Sequence, residues 1–176
     1  MRNTFFYKNR KLKEMRLYLP LAKKNDANPC ARNIIIRTEP EKRFIICRQE
    51  GPDAEAKAIE IFSQWAKGRQ IDNVRTYYIA AQDHKYECGI PYLEPLDFPE
   101  TNEIRLKVIP AGLYATYSEN NFGNVATRTN QMAQWLQSDP RYAPQGEYFA
   151  VYHTEAPADT GAPVRMEVFI PVKKSC

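Results

Sequence analysis

No apolar run among the 176 residues approaches the ~20 that a helix needs to span a bilayer, which excludes a transmembrane helix. After Met1-Arg2-Asn3 only Phe5, Phe6 and Tyr7 intervene before lysines resume, so no secretory signal is read and a cytoplasmic location is expected. Cysteine is sparse and scattered. Cys30, Cys47, Cys88 and Cys176 form no CxxC pair, and in a cytoplasmic setting they are expected as free thiols. Imidazole is rarer still: His84 has Cys88 four residues on, His153 stands apart, and nothing completes a set of metal ligands. The chain also lacks GxGxxG, the GxxxxGK phosphate loop and GxSxG. Neither a metal nor an organic cofactor is expected, and the common motif-bearing enzyme classes are set aside.

What is present is a 43% apolar composition, ordinary for a globular chain, in a length suited to one domain or two small units sharing a core. The net charge of +4 conceals a separation. Residues 1–32 carry nine Lys/Arg against Glu14 and Asp26, a balance of +7, while the remainder carries a balance of −3. The basic leader reads first as a solvated tail. Its alternatives are an arm docked on a partner or neighbouring subunit, or an electrostatic contact with nucleic acid. No reading helix accompanies it, so direct nucleic-acid binding is not expected. Lys11–Leu19 has the makings of a short helix that stops at Pro20.

Past the turn-rich linker at residues 25–33, periodicity predicts an α+β unit. Ile34–Thr38 and Arg43–Arg48 read as strands, or as one long strand bent at Pro40. A helix follows from Pro52-Asp53 to Gly68, with Ala54, Ala58, Ile61, Phe62 and Trp65 at helical spacing. Val74–Ala81 and Tyr86–Tyr92 are predicted strands, and residues 93–103 form a proline-rich acidic connection. The pattern then starts again. Ile104–Ile109 and Leu113–Tyr117 are strands, residues 120–124 a loop, Val125–Gln137 a helix, and Tyr148–His153 and Arg165–Val172 the closing strands.

The repetition extends to residue identity. Pro40 and Pro110 lie 70 apart, as do Phe44 and Tyr114 and the pairs Gln64-Trp65 and Gln134-Trp135. Tyr77-Tyr78-Ile79-Ala80 matches Tyr148-Phe149-Ala150-Val151 at an offset of 71, and Tyr86-Glu87-Cys88-Gly89-Ile90-Pro91 matches Met166-Glu167-Val168-Phe169-Ile170-Pro171 at 80. A longer loop in the second half, from Thr154 to Val164, absorbs the difference. Five matches in one order point to an internal duplication, with repeat one at 33–92 and repeat two at 104–173.

A bent strand, a helix and two strands, given twice with Glu-x-x-Ile-Pro near each end, resembles the GyrI-like superfamily. That group includes the effector-binding domains of bacterial AraC-type and MerR-type transcription activators. The segments that carry the resemblance are residues 108–117, 146–152 and 166–172, and it covers about residues 33–173. It implies a curved antiparallel sheet with two helices on one face and a ligand cleft between the repeats on the other. It further implies recognition of drug-like organic cations by aromatic rings and a buried glutamate. The chain departs from the family pattern in having Ala150 where an acid is common, and in showing no helix-turn-helix domain within residues 1–32.

Strand alternation assigns faces independently. In Met166–Val172 the set Met166, Val168 and Ile170 is assigned to the helices, leaving Glu167 and Phe169 on the open face. In Tyr148–Tyr152, Phe149 and Val151 are assigned to the core, leaving Tyr148, Ala150 and Tyr152 open. Glu87 and Gly89 share a face, and Gly89 leaves space where Phe169 stands in the second repeat. A carboxylate among rings loses hydration, and an entering cation offsets that cost while lying against ring faces. The expected ligand residues are Glu167 first, then Glu87, with Tyr152, Tyr148, Phe169, Tyr114 and Trp135. Tyr114 is favoured over Tyr117, and for Trp135, as for Trp65, core packing competes. No catalytic residue is assigned.

The expected function is an effector-binding module for a small lipophilic, cationic molecule, related to transcription regulation, without membrane association. One alternative is a GyrI-like hydrolase in which Glu167 and Tyr152 activate water. Another is an inhibitor or adaptor that acts on a protein partner such as gyrase.

Overall fold

The computed structural model describes residues 33–67, 69, 71, 74–82, 84–92, 94, 99–120, 124–154 and 164–175. The basic leader, most of the linker, Cys30, Cys176, the helix stop at Gly68, residues 95–98 of the proline-rich connection, Asn121–Gly123 and the loop at 155–163 lie outside the described residues.

The first half runs β1 (Ile35–Glu39), β2 (Lys42–Glu50), α1 (Ala54–Ala66), β3 (Thr76–Gln82) and β4 (Lys85–Pro91). The second runs β5 (Ile104–Ile109), β6 (Gly112–Glu119), α2 (Val125–Ser138), β7 (Tyr142–Pro144), β8 (Phe149–Thr154) and β9 (Val164–Lys174). The expected α+β class holds, as one strongly curled antiparallel sheet with both helices on its convex face. Its strand order is β1-β6-β9-β8-β3-β4-β2-β5, with β7 added beside β9.

Two readings sharpen. The segment around Pro40 is two strands with separate partners: β1 pairs with β6, whereas β2 pairs with β4 and β5. The short strand β7 was not expected. Its three residues, Tyr142-Ala143-Pro144, are too few to show alternation, and Pro144 argues against a strand.

The topology has a twofold character. Each half places its strands in the same spatial order, β3-β4-β2 and β8-β9-β6, and the halves meet where β3 pairs antiparallel with β8. Each half also gives its opening strand to the other: β1 edges β6 and β5 edges β2. On the convex side, Ala58 and Trp65 of α1 pack with Ile45, Cys47, Ile90 and Ile104. Met132 and Leu136, one turn apart on α2, pack with Ala115, Tyr117, Ala150, Tyr152, Met166 and Val168. Asn124 starts α2 by accepting a hydrogen bond from the Thr127 amide at 3.0 Å.

A third apolar cluster occupies the concave face: Phe44, Ile46, Tyr78, Ala80, Ile109, Tyr114, Phe149, Val151 and Phe169. Its location reverses the expectation for β8. Phe149 and Val151 belong to the concave cluster, while Ala150 and Tyr152 belong to the α2-side cluster. The register explains this, because Phe149 stands opposite Phe169 in β9 and cross-strand partners share a face. The expectation for β9 agrees: Glu167 and Phe169 are concave, and Met166, Val168 and Ile170 face α2.

Candidate functional site on the concave face

The centre of the concave face is a wall of rings. Phe149 stacks on Phe169 with centroids 4.7 Å apart and planes 6° apart, and Tyr78 stacks on Phe149 at 5.7 Å. Phe44 lies 4.9 Å from Tyr78, and Tyr114 stands edge-on to both Phe149 and Phe169. Alternation puts one ring from each of β2, β3, β6, β8 and β9 on the same face, only Phe149 and Phe169 being directly opposite in register, and the curl brings the five together. Tyr114 donates from its hydroxyl to the Pro110 carbonyl at 2.7 Å, which pins its ring in the wall.

The two expected carboxylates flank this wall and do not converge. Glu87 on β4 and Glu167 on β9 are separated by β3 and β8, and their hydrogen-bond partners differ, Tyr78 and Lys107 for one and Ser118 and His153 for the other. Each is the centre of its own polar cluster.

Glu87 is 5% exposed. Its Oε2 accepts from the Tyr78 hydroxyl at 2.8 Å and from the Lys107 ammonium, while Arg48 and Arg105 reach to 3.9 and 4.0 Å of Oε1. Burial, and then the Glu87 charge, push the Tyr78 phenol well above its ordinary range. Tyr78 therefore stays a donor at any physiological pH. The Lys107 ammonium also lies 5.4 Å from the Tyr78 ring centroid and 3.6 Å from Glu147. A shallow, solvent-open depression with room for only about 10 Å³, little more than one water, adjoins this cluster and is lined by Ala80, Gln82, Lys85, Glu87, Glu147 and Tyr148. The Tyr148 hydroxyl donates to the Ala81 carbonyl, which holds the ring at the pocket wall.

Glu167 accepts from the Ser118 hydroxyl at 3.1 Å and lies 3.1 Å from His153 Nε2, 3.6 Å from Arg165 and 3.8 Å from Arg37. His153 Nδ1 is in turn 3.3 Å from the Thr76 hydroxyl. The Arg37 guanidinium lies 5.9 Å from the Phe169 ring. This end of the face is a hydrogen-bonded network among polar side chains, with Phe169 as its apolar border.

Of the seven expected ligand residues, Glu87 and Tyr148 line the described pocket, Phe169 and Tyr114 belong to the ring wall, and Glu167 centres the second cluster. Tyr152 and Trp135 are on the other side of the sheet, packed with the α2 core. Burial and then Glu119 push the Tyr152 phenol up to about 12. The alternative hydrolytic pair of Glu167 and Tyr152 is not formed, because the sheet separates the two side chains.

Sequence reasoning missed Tyr78, Phe149, His153 and Lys107. Three stand at residue offsets already noted in the sequence. Tyr78 and Phe149 are one of the matched pairs, and Lys107 stands 70 residues after Arg37, the offset already shared by Phe44 and Tyr114. His153 had no counterpart to mark it.

Known structures share this fold. The C-terminal domain of EcmrR superposes with a TM-score of 0.58 at 17% identity, covering 81% of this chain and 98% of that one. A hydrolase from Listeria innocua gives 0.50 at 10% identity, covering 96% and 98%. An integron cassette protein from the mobile metagenome of Vibrio cholerae gives 0.51 at 14%, covering 81% and 97%. At these identities the likeness is one of fold. No curated protein sequence matches the chain. A family profile does, over residues 32–173, and by that match across most of its length the chain belongs to the GyrI-like small molecule binding domain family.

Proposed function

We propose that the chain binds a small lipophilic cation on its concave face and serves as an effector-binding module. The contact is at the Glu87 pocket beside the ring wall. One observation carries the reading. Glu87 is a carboxylate almost wholly removed from water, oriented by the Tyr78 hydroxyl, with a cation resting on the Tyr78 ring beside it. Charge compensation of a buried acid and ring contact are thus combined at one place, and a hydrophobic organic cation satisfies both. Tyr148 and Ala80 supply apolar surface at the pocket, the five rings of the wall, each no more than 3% exposed, back it from within, and the carboxylate selects the sign of charge. Glu87 takes the principal role over Glu167 because its side chain is the more deeply buried, 6% exposed against 12%, and is bonded directly to a tyrosine of the ring wall.

The test is a titration of the purified chain with tetraphenylphosphonium and with tetraphenylborate, which have the same shape and opposite charge. The phosphonium is expected to bind saturably and to be recovered unchanged. Glu87→Gln is expected to weaken it by about tenfold or more while leaving the borate no weaker. Equal affinity for the two probes, or a Glu87→Gln variant that binds the phosphonium as the parent does, would sink the reading.

A further inference from the structure

We infer that Lys107 is an internal competitor for the Glu87 site, a specificity-determining residue whose ammonium holds the place a ligand's cationic centre takes on binding. The inference rests on the function proposed above and identifies how this chain sets the affinity of that site.

Lys107 comes from β5, the edge strand contributed by the second half, and reaches across β2 to Glu87. There it makes every contact expected of a bound organic cation. It pairs with the buried carboxylate, lies 5.4 Å from the Tyr78 ring centroid, and has a second carboxylate, Glu147, at 3.6 Å. The half-related position shares only part of this arrangement. Arg37, from the exchanged strand β1, donates to Glu39 on its own strand and lies 5.9 Å from the Phe169 ring and 3.8 Å from Glu167. In both halves a base from the borrowed edge strand covers an aromatic ring and approaches that half's glutamate.

The choice of lysine at the tighter site matters. An ammonium on a flexible stem makes no planar, two-pronged pairing with a carboxylate, so it leaves with less lost geometry than a guanidinium. Glu147 gives it somewhere to go: its carboxylate is 53% exposed and already within 4 Å of the ammonium. A ligand cation that displaces Lys107 from Glu87 therefore leaves the lysine beside a hydrated acid instead of stranding it. The empty protein keeps Glu87 compensated, and the ligand must out-compete a partner tethered to the same chain.

Two measurements on the full chain test this. Lys107→Met keeps the apolar stem and removes the charge, and it is expected to bind tetraphenylphosphonium about tenfold more tightly than the parent. In the parent, acetylation by N-hydroxysuccinimidyl acetate, read by mass spectrometry, is expected to be slow at Lys107 and to accelerate several-fold when tetraphenylphosphonium saturates the protein. Lys57, exposed on α1 at the convex side of the sheet, should stay unchanged. An unaltered or weaker affinity in Lys107→Met overturns the inference while leaving the proposed function standing. So does an acetylation rate at Lys107 that stays level or falls on binding, and this second reading applies even if the variant does not fold. Failure of both the parent and Lys107→Met to bind the phosphonium removes the proposed function, and the inference with it.

Discussion

A methyl group at position 89 would lie 2.1 Å from the Ile45 carbonyl oxygen and 2.9 Å from the Ile46 Cα, both backbone atoms of β2. Neither atom can turn aside as a side chain does, so only a shift of one strand against the other relieves the contact. Gly89→Ala is expected to lower stability by about 1–3 kcal/mol in chemical denaturation, the usual cost of overpacking a tight site. An unchanged midpoint would mean that β2 and β4 do not approach this closely. The repeat aligns Gly89 with Phe169, and on the sequence alone the glycine reads as room for a ligand. Its reason is instead the approach of the neighbouring backbone, which no one-dimensional pattern records. Glu87, two residues away, was legible because a glutamate recurs at Glu167. The partners that give it chemistry were not, since Lys107 and Tyr78 come from two other strands.

At the level of elements, both helices and eight of the nine strands among the described residues were readable from periodicity and turn residues, with ends off by one or two positions. The face of β8 was not. Its residues Phe149, Ala150, Val151, Tyr152 and Thr154 are all buried, so both faces of the strand are inside and alternation carries no signal. Only pairing with β9, set by the fold, decides which side each takes. The start of α2 offers a cleaner case. The Asn124 side chain satisfies the Thr127 amide, and the first turn of that helix holds no acidic residue to help. Asn124→Ala is expected to cost about 1 kcal/mol, with Asn124→Gly milder. Hydrogen exchange should locate the loss at the Thr127 amide, and unchanged protection there would show that the cap does not hold the helix end.

Across the whole molecule, the ordered residue matches in the sequence carry no sign that β1 pairs with β6 and β5 with β2, because that pairing depends on contacts some 70 residues apart. The same long-range pairing sets Cys47 directly opposite Cys88 across β2 and β4, two thiols that look unrelated in the chain and that the structure keeps free. Their shared burial beneath α1 has a global consequence at high pH. Burial pushes the Cys47 thiol up to about 11, despite a small opposing effect of the Gln49 side chain, and Glu103 adds to the rise. Burial, then the neighbouring Cys47, raises Cys88 as well, and burial takes Tyr152 to about 12. In the unfolded chain these groups ionise near their ordinary values, roughly 8.5 for cysteine and 10 for tyrosine. The folded protein therefore holds these protons more tightly than the unfolded one. Its advantage is complete below pH ~8.5 and is lost as pH rises through about 11 and then about 12. Denaturation midpoints, measured with reductant present, should be level from pH 7 to ~8.5 and then fall steadily toward pH 11. Cys47→Ala should flatten the portion of that fall between pH ~9 and 11, since it removes one of the groups responsible. A parent midpoint that stays level across this interval would mean that the thiols ionise inside the fold as freely as outside it, and that the layer between α1 and the sheet admits water.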